Sequence, residues 1–420
     1  MSIDHKELGR RLREAREAAG MNQDAVAKQL NLSRATIAQM ELGNRAVSSL
    51  ELDKLANIYG RDIGSFFTQG FNAEDILSVL LRENPDLVSN EEMTEALRRS
   101  ISLGRELTNL ESLLDLNKDS LIPAVYTVNP PRKKWEAIRQ GESLALDERR
   151  RLDLGDGPIA DIVEILEVQG IRTHVTLLPQ DVSGITIKHP EAGLLVVVNE
   201  THPPVRQIFS FAHEYGHVLL DRNRPQTISR TINRDDLLEV RANAFAAIFL
   251  LPEQGVRRFV SSLGKGQASR TSTRLYDEED VVEVQRRISA QSQSIQIYDV
   301  LLLGHNFGVS TITALYRLRN ITPPLIDDEE LESLRSDLES TRVNTLNWAF
   351  DLDEITEESN KNARFSPKNT FRSRFIALAF EAYRREKISR SKLTELADLV
   401  NISRDRLDKL VEDLRLEERV

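Results

Sequence analysis

The 420-residue chain has no cysteine. Its absence excludes disulfides and thiolate metal ligands together, so any bound metal must be held by His, Asp and Glu. Long hydrophobic runs are missing too. The longest apolar stretches, such as Ala244 to Leu251, fall far short of the roughly 20 residues that span a bilayer. The opening "MSIDHKELGRR" has no apolar leader core. These absences set the expectation of a cytoplasmic protein without membrane contact. Nor is there a basic excess: 56 Lys and Arg face 66 Asp and Glu, for a net charge of -10, which argues against indiscriminate nucleic-acid binding over the whole surface. What is present reads as globular, with 40% hydrophobic and 29% charged residues. A chain of this length suggests two or three domains.

Charge is unevenly shared. Residues 1–67 hold ten Lys/Arg against nine Asp/Glu, and Arg10, Arg11, Arg13 and Arg16 crowd one short stretch. Leu8, Leu12 and Ala15 recur at helical spacing, and Gly20 with Asn22 marks a helix end followed by a new cap. A second helix, Gln23 to Leu30, presents Val26, Ala27 and Leu30 inward. Ser33 caps a third, "RATIAQME", which buries Ile37 and Met40 and stops at Gly43. Two short helices joined by a tight turn form the geometry that inserts a helix end into a DNA major groove. The candidates for reading bases are Arg34, Ala35, Thr36 and Gln39, with Ser33 at their cap. Gln23 and Arg45 are placed for phosphates, which fix position but not sequence. The stretch from Leu8 to Gly60 resembles the Xre/Cro-type helix-turn-helix family. That resemblance implies a double-stranded operator as partner and a homodimer on two half-sites.

Residues 72–120 are rich in charge and leucine. "LRRSISLGRELTNLESLLDL" reads as a long helix without visible chemistry, a connector or dimerisation helix. The turn signal "NPP" at Asn129 to Pro131 closes this region. Beyond it the spacing predicts a helix from about Ile159 to Val168, a glycine stop, a strand, and a buried strand in "GLLVVVN", a mixed α+β segment.

Directly afterwards comes "FSFAHEYGHVLLD", residues Phe209 to Asp221. Positions i and i+4 share a helix face, so His213 and His217 can bind one metal while Glu214 borders the same site. A carboxylate there can take a proton from a metal-activated water and return it to a leaving amine. Hydrolytic zinc sites use three protein ligands and an open position. The third candidate is Glu239, at the start of the apolar helix "LLEVRANAFAAIFLLP", with Asp235 and Asp236 as competitors nearer a loop. Tyr215 and His305 are conceivable oxyanion stabilisers, but Tyr215 lies on another side of the helix and His305 in a distant segment, so both read as structural.

"RQIFSFAHEYGHVLL" followed by "EVRANAFAAIFLLP" resembles the ImmA/IrrE family of metallopeptidases. The resemblance implies a zincin-like fold, Zn²⁺ with Mn²⁺ as an alternative occupant, His213, His217 and Glu239 as ligands, and Glu214 as general base. Where that family frequently carries a further histidine, this chain has Asp221. "LLLGHNFGVSTITALYRLRN" resembles it as well. Further on, "ISRSKLTELADLVNISRDRLDKLVEDL" has the spacing of a second small helix-turn-helix with Leu396, Ala397, Val400, Ile402 and Leu407 as its core, read as sensory or packing.

The expected fold is mostly α and multidomain: an all-α helix-turn-helix bundle over 1–68, a helical connector over 69–120, an α+β zincin-like domain over 121–320 and a C-terminal helical domain over 321–420. The combination implies a transcription regulator that switches repression by limited proteolysis of itself or of an Xre-type repressor, in a stress, DNA-damage or mobile-element response. Its activator would be single-stranded DNA or a small molecule. The competing class is a non-proteolytic regulator that uses the metal-containing fold as a sensor.

Overall fold

The computed structural model describes residues 4–61, 63–67, 90–116, 123–189, 191–221, 226–265, 270–276, 281–287, 294–339 and 370–413, with Leu77, Asp86 and Arg224 besides. Among them are sixteen α-helices and six strands. None of these helices is long and apolar enough to cross a membrane.

The N-terminal bundle consists of α1 (His5–Ala18), α2 (Gln23–Leu30), α3 (Arg34–Glu41) and α4 (Ser49–Tyr59). Each starts where a short polar side chain accepts from an otherwise orphaned backbone N–H: Asp4 from Glu7, Asn22 from Ala25, Ser33 from Thr36, and Ser48 in a reciprocal capping box with Glu51. Leu12, Val26, Ile37, Met40, Leu55 and Tyr59 close the core. α1 crosses the end of α3 so tightly that a Cβ on Gly9 would lie 2.5 Å from the Met40 carbonyl oxygen, which is why glycine stands there. A buried ion pair between Arg16 and Glu41, 2.6 Å apart, fastens the same crossing.

The central sheet has the order β1-β3-β2-β4, with β1 (Ile171–Thr176) parallel to β3 (Gly193–Asn199), and β2 (Val182–His189) antiparallel to both β3 and β4 (Gln226–Arg230). Alternate residues of β3 belong to different cores. Leu195 and Val197 pack with Met93, Leu97 and Ile101 of α5 (Glu91–Leu113). Val196 and Val198 pack with Phe211, Tyr215, Phe245 and Phe249 of α8 (Pro204–Leu220) and α9 (Leu237–Leu250). A strand covered on both faces must be apolar at every position, which accounts for the run "LLVVV". The helix expected from Ile159 begins later, as α7 (Ile162–Val168), because Asp161 caps it by accepting from Val163 and Glu164. α6 (Lys134–Arg151) lies against α9, where a Cβ on Gly141 would sit 2.4 Å from the Arg241 carbonyl oxygen. After α10 (Glu253–Ser262) come a hairpin of β5 (Arg270–Tyr276) and β6 (Val281–Arg287), then α11 (Ile297–Phe307), α12 (Thr311–Asn320) and α13 (Asp328–Glu339).

The packing bears on two of the expected segments. The connector helix is core: its first half packs under the sheet, while Leu103, Leu107 and Leu110 pack with α14 (Thr370–Arg384), α15 (Arg390–Leu399) and α16 (Arg404–Asp413). With 93, 97 and 101 on one face and 103, 107 and 110 on another, both apolar faces of α5 are covered within the chain and no leucine of α5 is exposed for a dimer. The break expected at 320/321 also falls inside a core, since Ile321, Ile326 and Leu334 join the central cluster. The second helix-turn-helix spacing does appear in α15 and α16, with Leu396, Ala397, Val400, Ile402 and Leu407 all buried.

One charge cluster ties the three regions together. Arg61, just after α4, meets Glu106 of α5 at 2.8 Å; Lys392 of α15 meets the other Glu106 oxygen at 3.2 Å; all three are buried. Asn109 donates to the Gly60 carbonyl beside them. Burial works to raise the Glu106 carboxyl, and Arg61, Lys392 and Arg105 more than reverse this, holding it down to about 2. The interaction therefore contributes stability above the ordinary carboxylate pKa of 4.5, and that stability is lost as pH falls towards 2. Removing Glu106 takes from buried Arg61 its carboxylate, while Lys392 keeps Glu395 at 2.8 Å, so Glu106→Ala is expected to cost about 3–5 kcal/mol. Denaturant unfolding at pH 7 measures this, and at pH 3 the gap between the variant and the natural chain should narrow.

Candidate metal centre

α8 and α9 build the centre between them. His213 and His217 stand one turn apart on the inner face of α8, and Glu239 enters from the first turn of α9. Among the described residues these three form the one group of His, Asp or Glu able to hold a metal. The two histidine Nε2 atoms lie 3.1 Å apart. Glu239 places one oxygen 3.1 Å from His213 Nε2 and the other 3.3 Å from His217 Nε2. A tetrahedral zinc with ligands at about 2.0–2.2 Å separates them by roughly 3.3–3.6 Å, so slight expansion of this triangle accommodates the ion.

The donor chemistry fits as well. The Nδ1 atom of His213 faces the Asn243 side-chain oxygen at 3.0 Å, and that of His217 faces Asp221 at 2.8 Å. Those partners accept an Nδ1 proton, which leaves both Nε2 lone pairs aimed at one point beside a carboxylate. Three electron-rich atoms converging in a buried space call for a cation or a proton. The charge balance expresses the same demand: burial alone would pull the His217 pKa down, but Asp221 and Glu239 outweigh it and push it up to about 10. Burial raises the Glu239 carboxyl, whereas His213 and His217 pull it far below the usual carboxylate range. Metal must displace that proton, so its binding weakens as pH falls.

Glu214 is fully buried on the same helix. One oxygen accepts from the Thr186 hydroxyl of β2 at 2.7 Å, and the other, Oε1, has no partner among the described residues. Space for the carboxylate comes from Gly184, where a Cβ would stand 2.6 Å from that free oxygen. An unsatisfied buried carboxylate oxygen is a group that can accept a proton from water.

Residues 166–319 match the protein family described as the IrrE N-terminal-like domain, a peptidase family, and residues 7–64 match a helix-turn-helix domain. The chain is thus similar to a helix-turn-helix domain in its N-terminal region and to an IrrE N-terminal-like, metallopeptidase-like domain in its central region. No curated protein matches it. Within the peptidase domain the motif residues His213, Glu214, His217 and Glu239 come together, while the competitors Asp235 and Asp236 remain outside: Asp236 caps α9 and exposed Asp235 pairs with Lys134. Tyr215 points away, donating to Glu148 within the aromatic core, and His305 is exposed on α11. Sequence reasoning missed Thr186, Asn243, Arg241 and the contact made by Asp221. The spacing Glu239 to Asn243, one turn on the same helix face, was the available signal for Asn243.

In the helix-turn-helix domain, Arg34, Ala35 and Gln39 are exposed on α3 and Thr36 is half-buried beside the Ser33 cap. Arg45 pairs with Glu51 at 2.7 Å, and Gln23 donates to the buried Glu41 at 2.9 Å. Gln23 thus connects the start of α2 to the Arg16–Glu41 pair.

One metal ion per chain is expected in the purified protein. His217→Ala leaves a single imidazole and a carboxylate, too few for tight binding. Elemental analysis after dialysis against a weak chelator should find this variant essentially metal-free; full occupancy would remove His217 from the ligand set.

Proposed function

We propose that the chain is a cytoplasmic, dimeric DNA-binding regulator whose peptidase domain switches repression by limited proteolysis of itself or of a partner repressor, in a stress, DNA-damage or mobile-element response. The observation that carries this reading is the complete set of His213, His217, Glu239 and a Glu214 with one free oxygen, in the same chain as an exposed recognition helix. Zinc, or manganese in its place, would supply the Lewis acidity that activates water and polarises a scissile carbonyl. The chain's own residues do the rest. His213, His217 and Glu239 hold the ion. Thr186 fixes one oxygen of Glu214, so that Oε1 takes the water proton and passes it to the leaving amine. In the DNA-binding domain, Arg34, Ala35, Thr36 and Gln39 read base edges with Ser33 at their cap, and Gln23 and Arg45 contact phosphates.

The cut is expected in a connector near 69–120 of this chain or in the equivalent region of a partner repressor. α5 occupies 91–113 of that span, and a helix buried on both faces cannot present the extended backbone that a protease cleft takes. The cut then belongs on either side of α5, in stretches that lie largely outside the described residues. A second reading has an observation in its favour: Glu214 and both histidines are almost wholly buried, as suits a metal-containing sensor of a small molecule or single-stranded DNA.

Glu214→Gln separates the two. It keeps size and hydrogen bonding but removes the proton acceptor, so metal and operator binding survive. Incubated with zinc and operator DNA, alone and with a candidate repressor, the natural chain should yield discrete fragments that the variant does not. A Glu214→Gln strain that induces its target genes normally would establish the sensor reading instead.

A further inference from the structure

Asp221 follows α8 directly, four residues after His217. Its Oδ2 lies 2.8 Å from His217 Nδ1, the ring nitrogen opposite the one that meets Glu239. The imidazole therefore stands between Asp221 and the point where the ligand atoms converge, and Asp221 is not a fourth ligand. Its other oxygen accepts from Arg241 Nη2 at 2.6 Å. Arg241 is buried, and Gln140 of α6 contacts its second terminal nitrogen at 3.4 Å. The Arg241 backbone is itself fixed, because α9 meets α6 there at a distance only Gly141 permits. A continuous chain of contacts runs from the α6–α9 packing through Arg241 and Asp221 to one ligand ring.

We propose that Asp221, held by Arg241, is a positioning residue for the metal centre: it fixes the orientation and tautomer of His217 so that the Nε2 lone pair faces the ion. This rests on the metal-centre reading above and adds the residue that aims the second histidine. An imidazole free to rotate about its side-chain bonds must be ordered when the metal binds. One already hydrogen-bonded through Nδ1 to a carboxylate is ordered beforehand and is the more basic ligand. His213 has Asn243 at the equivalent nitrogen, a neutral acceptor, so the charged partner is specific to His217.

The test uses the full chain, with zinc affinity read by competition against a chromophoric chelator and with the visible d–d bands of the Co²⁺-loaded protein. Asp221→Ala is expected to weaken zinc about 100-fold and Asp221→Asn, which keeps an acceptor oxygen but not the charge, about tenfold. Both should shift the Co²⁺ bands, while circular dichroism of the metal-free protein and operator binding stay unchanged. The Asn variant carries the test by itself if the Ala variant does not fold. Natural affinity together with an unshifted Co²⁺ spectrum in the Asn variant overturns the role of Asp221 and leaves the metal centre standing. A natural chain that takes up neither zinc nor Co²⁺ overturns both.

Discussion

Two imidazole nitrogens and a carboxylate, each about 3 Å from its neighbours in a buried pocket, are a costly arrangement without a positive charge at their centre. Much of the peptidase domain can be understood as the scaffold that enforces it. α8 supplies both histidines on one face because a helix brings residues four apart together, and its other side is tied down by Phe211 and Tyr215 in the core. α9 must lie close enough for Glu239 to reach both rings. That closeness is set by aromatic packing of Tyr215 against Phe245 and Phe249, and by Gly216, where a Cβ would come within 3.1 Å of Phe245.

The sheet completes the site. β2 passes behind α8 and offers a hydroxyl at Thr186 and a gap at Gly184, one residue type that binds the Glu214 carboxylate and one that leaves room for it. β3 keeps the sheet in place by being apolar towards α5 and towards α8 and α9 alike. The same α5 that backs the sheet also carries Glu106, which receives Arg61 from the edge of the helix-turn-helix domain and Lys392 from the C-terminal helices. The helix-turn-helix bundle, the scaffold of the candidate metal centre and the C-terminal helices are thus joined through one helix. A movement of α5 would be felt at both ends, because Arg61 and Lys392 both pair with Glu106.

Legibility in the sequence followed the range of the interactions. The helix-turn-helix bundle could be placed almost to the residue, since Asn22, Ser33 and Gly43 are local punctuation and the core repeats at helical period. The candidate ligand group was equally accessible, two histidines by their spacing and Glu239 by resemblance. What could not be read is what crosses between distant segments. Thr186 and Gly184 lie some thirty residues before Glu214 and look like ordinary strand residues. Asp221 looked like a lost histidine until its contact with Arg241 was visible. α5 presented one leucine-rich pattern, and only the packing separates it into two faces serving two cores. No periodicity announces that Arg61, Glu106 and Lys392 meet, because they come from three distant segments of the chain.

The metal centre proposed above has His213, His217 and Glu239 holding one metal ion. Anomalous diffraction from crystals of the full chain grown with zinc, measured on both sides of the zinc absorption edge, tests it most directly. A single strong peak is expected equidistant from the two Nε2 atoms and the Glu239 carboxylate, with Asp221 and Asn243 still on the Nδ1 atoms. A map without density at that point, in which Glu239 remains hydrogen-bonded directly to both rings while zinc is bound elsewhere, would contradict it.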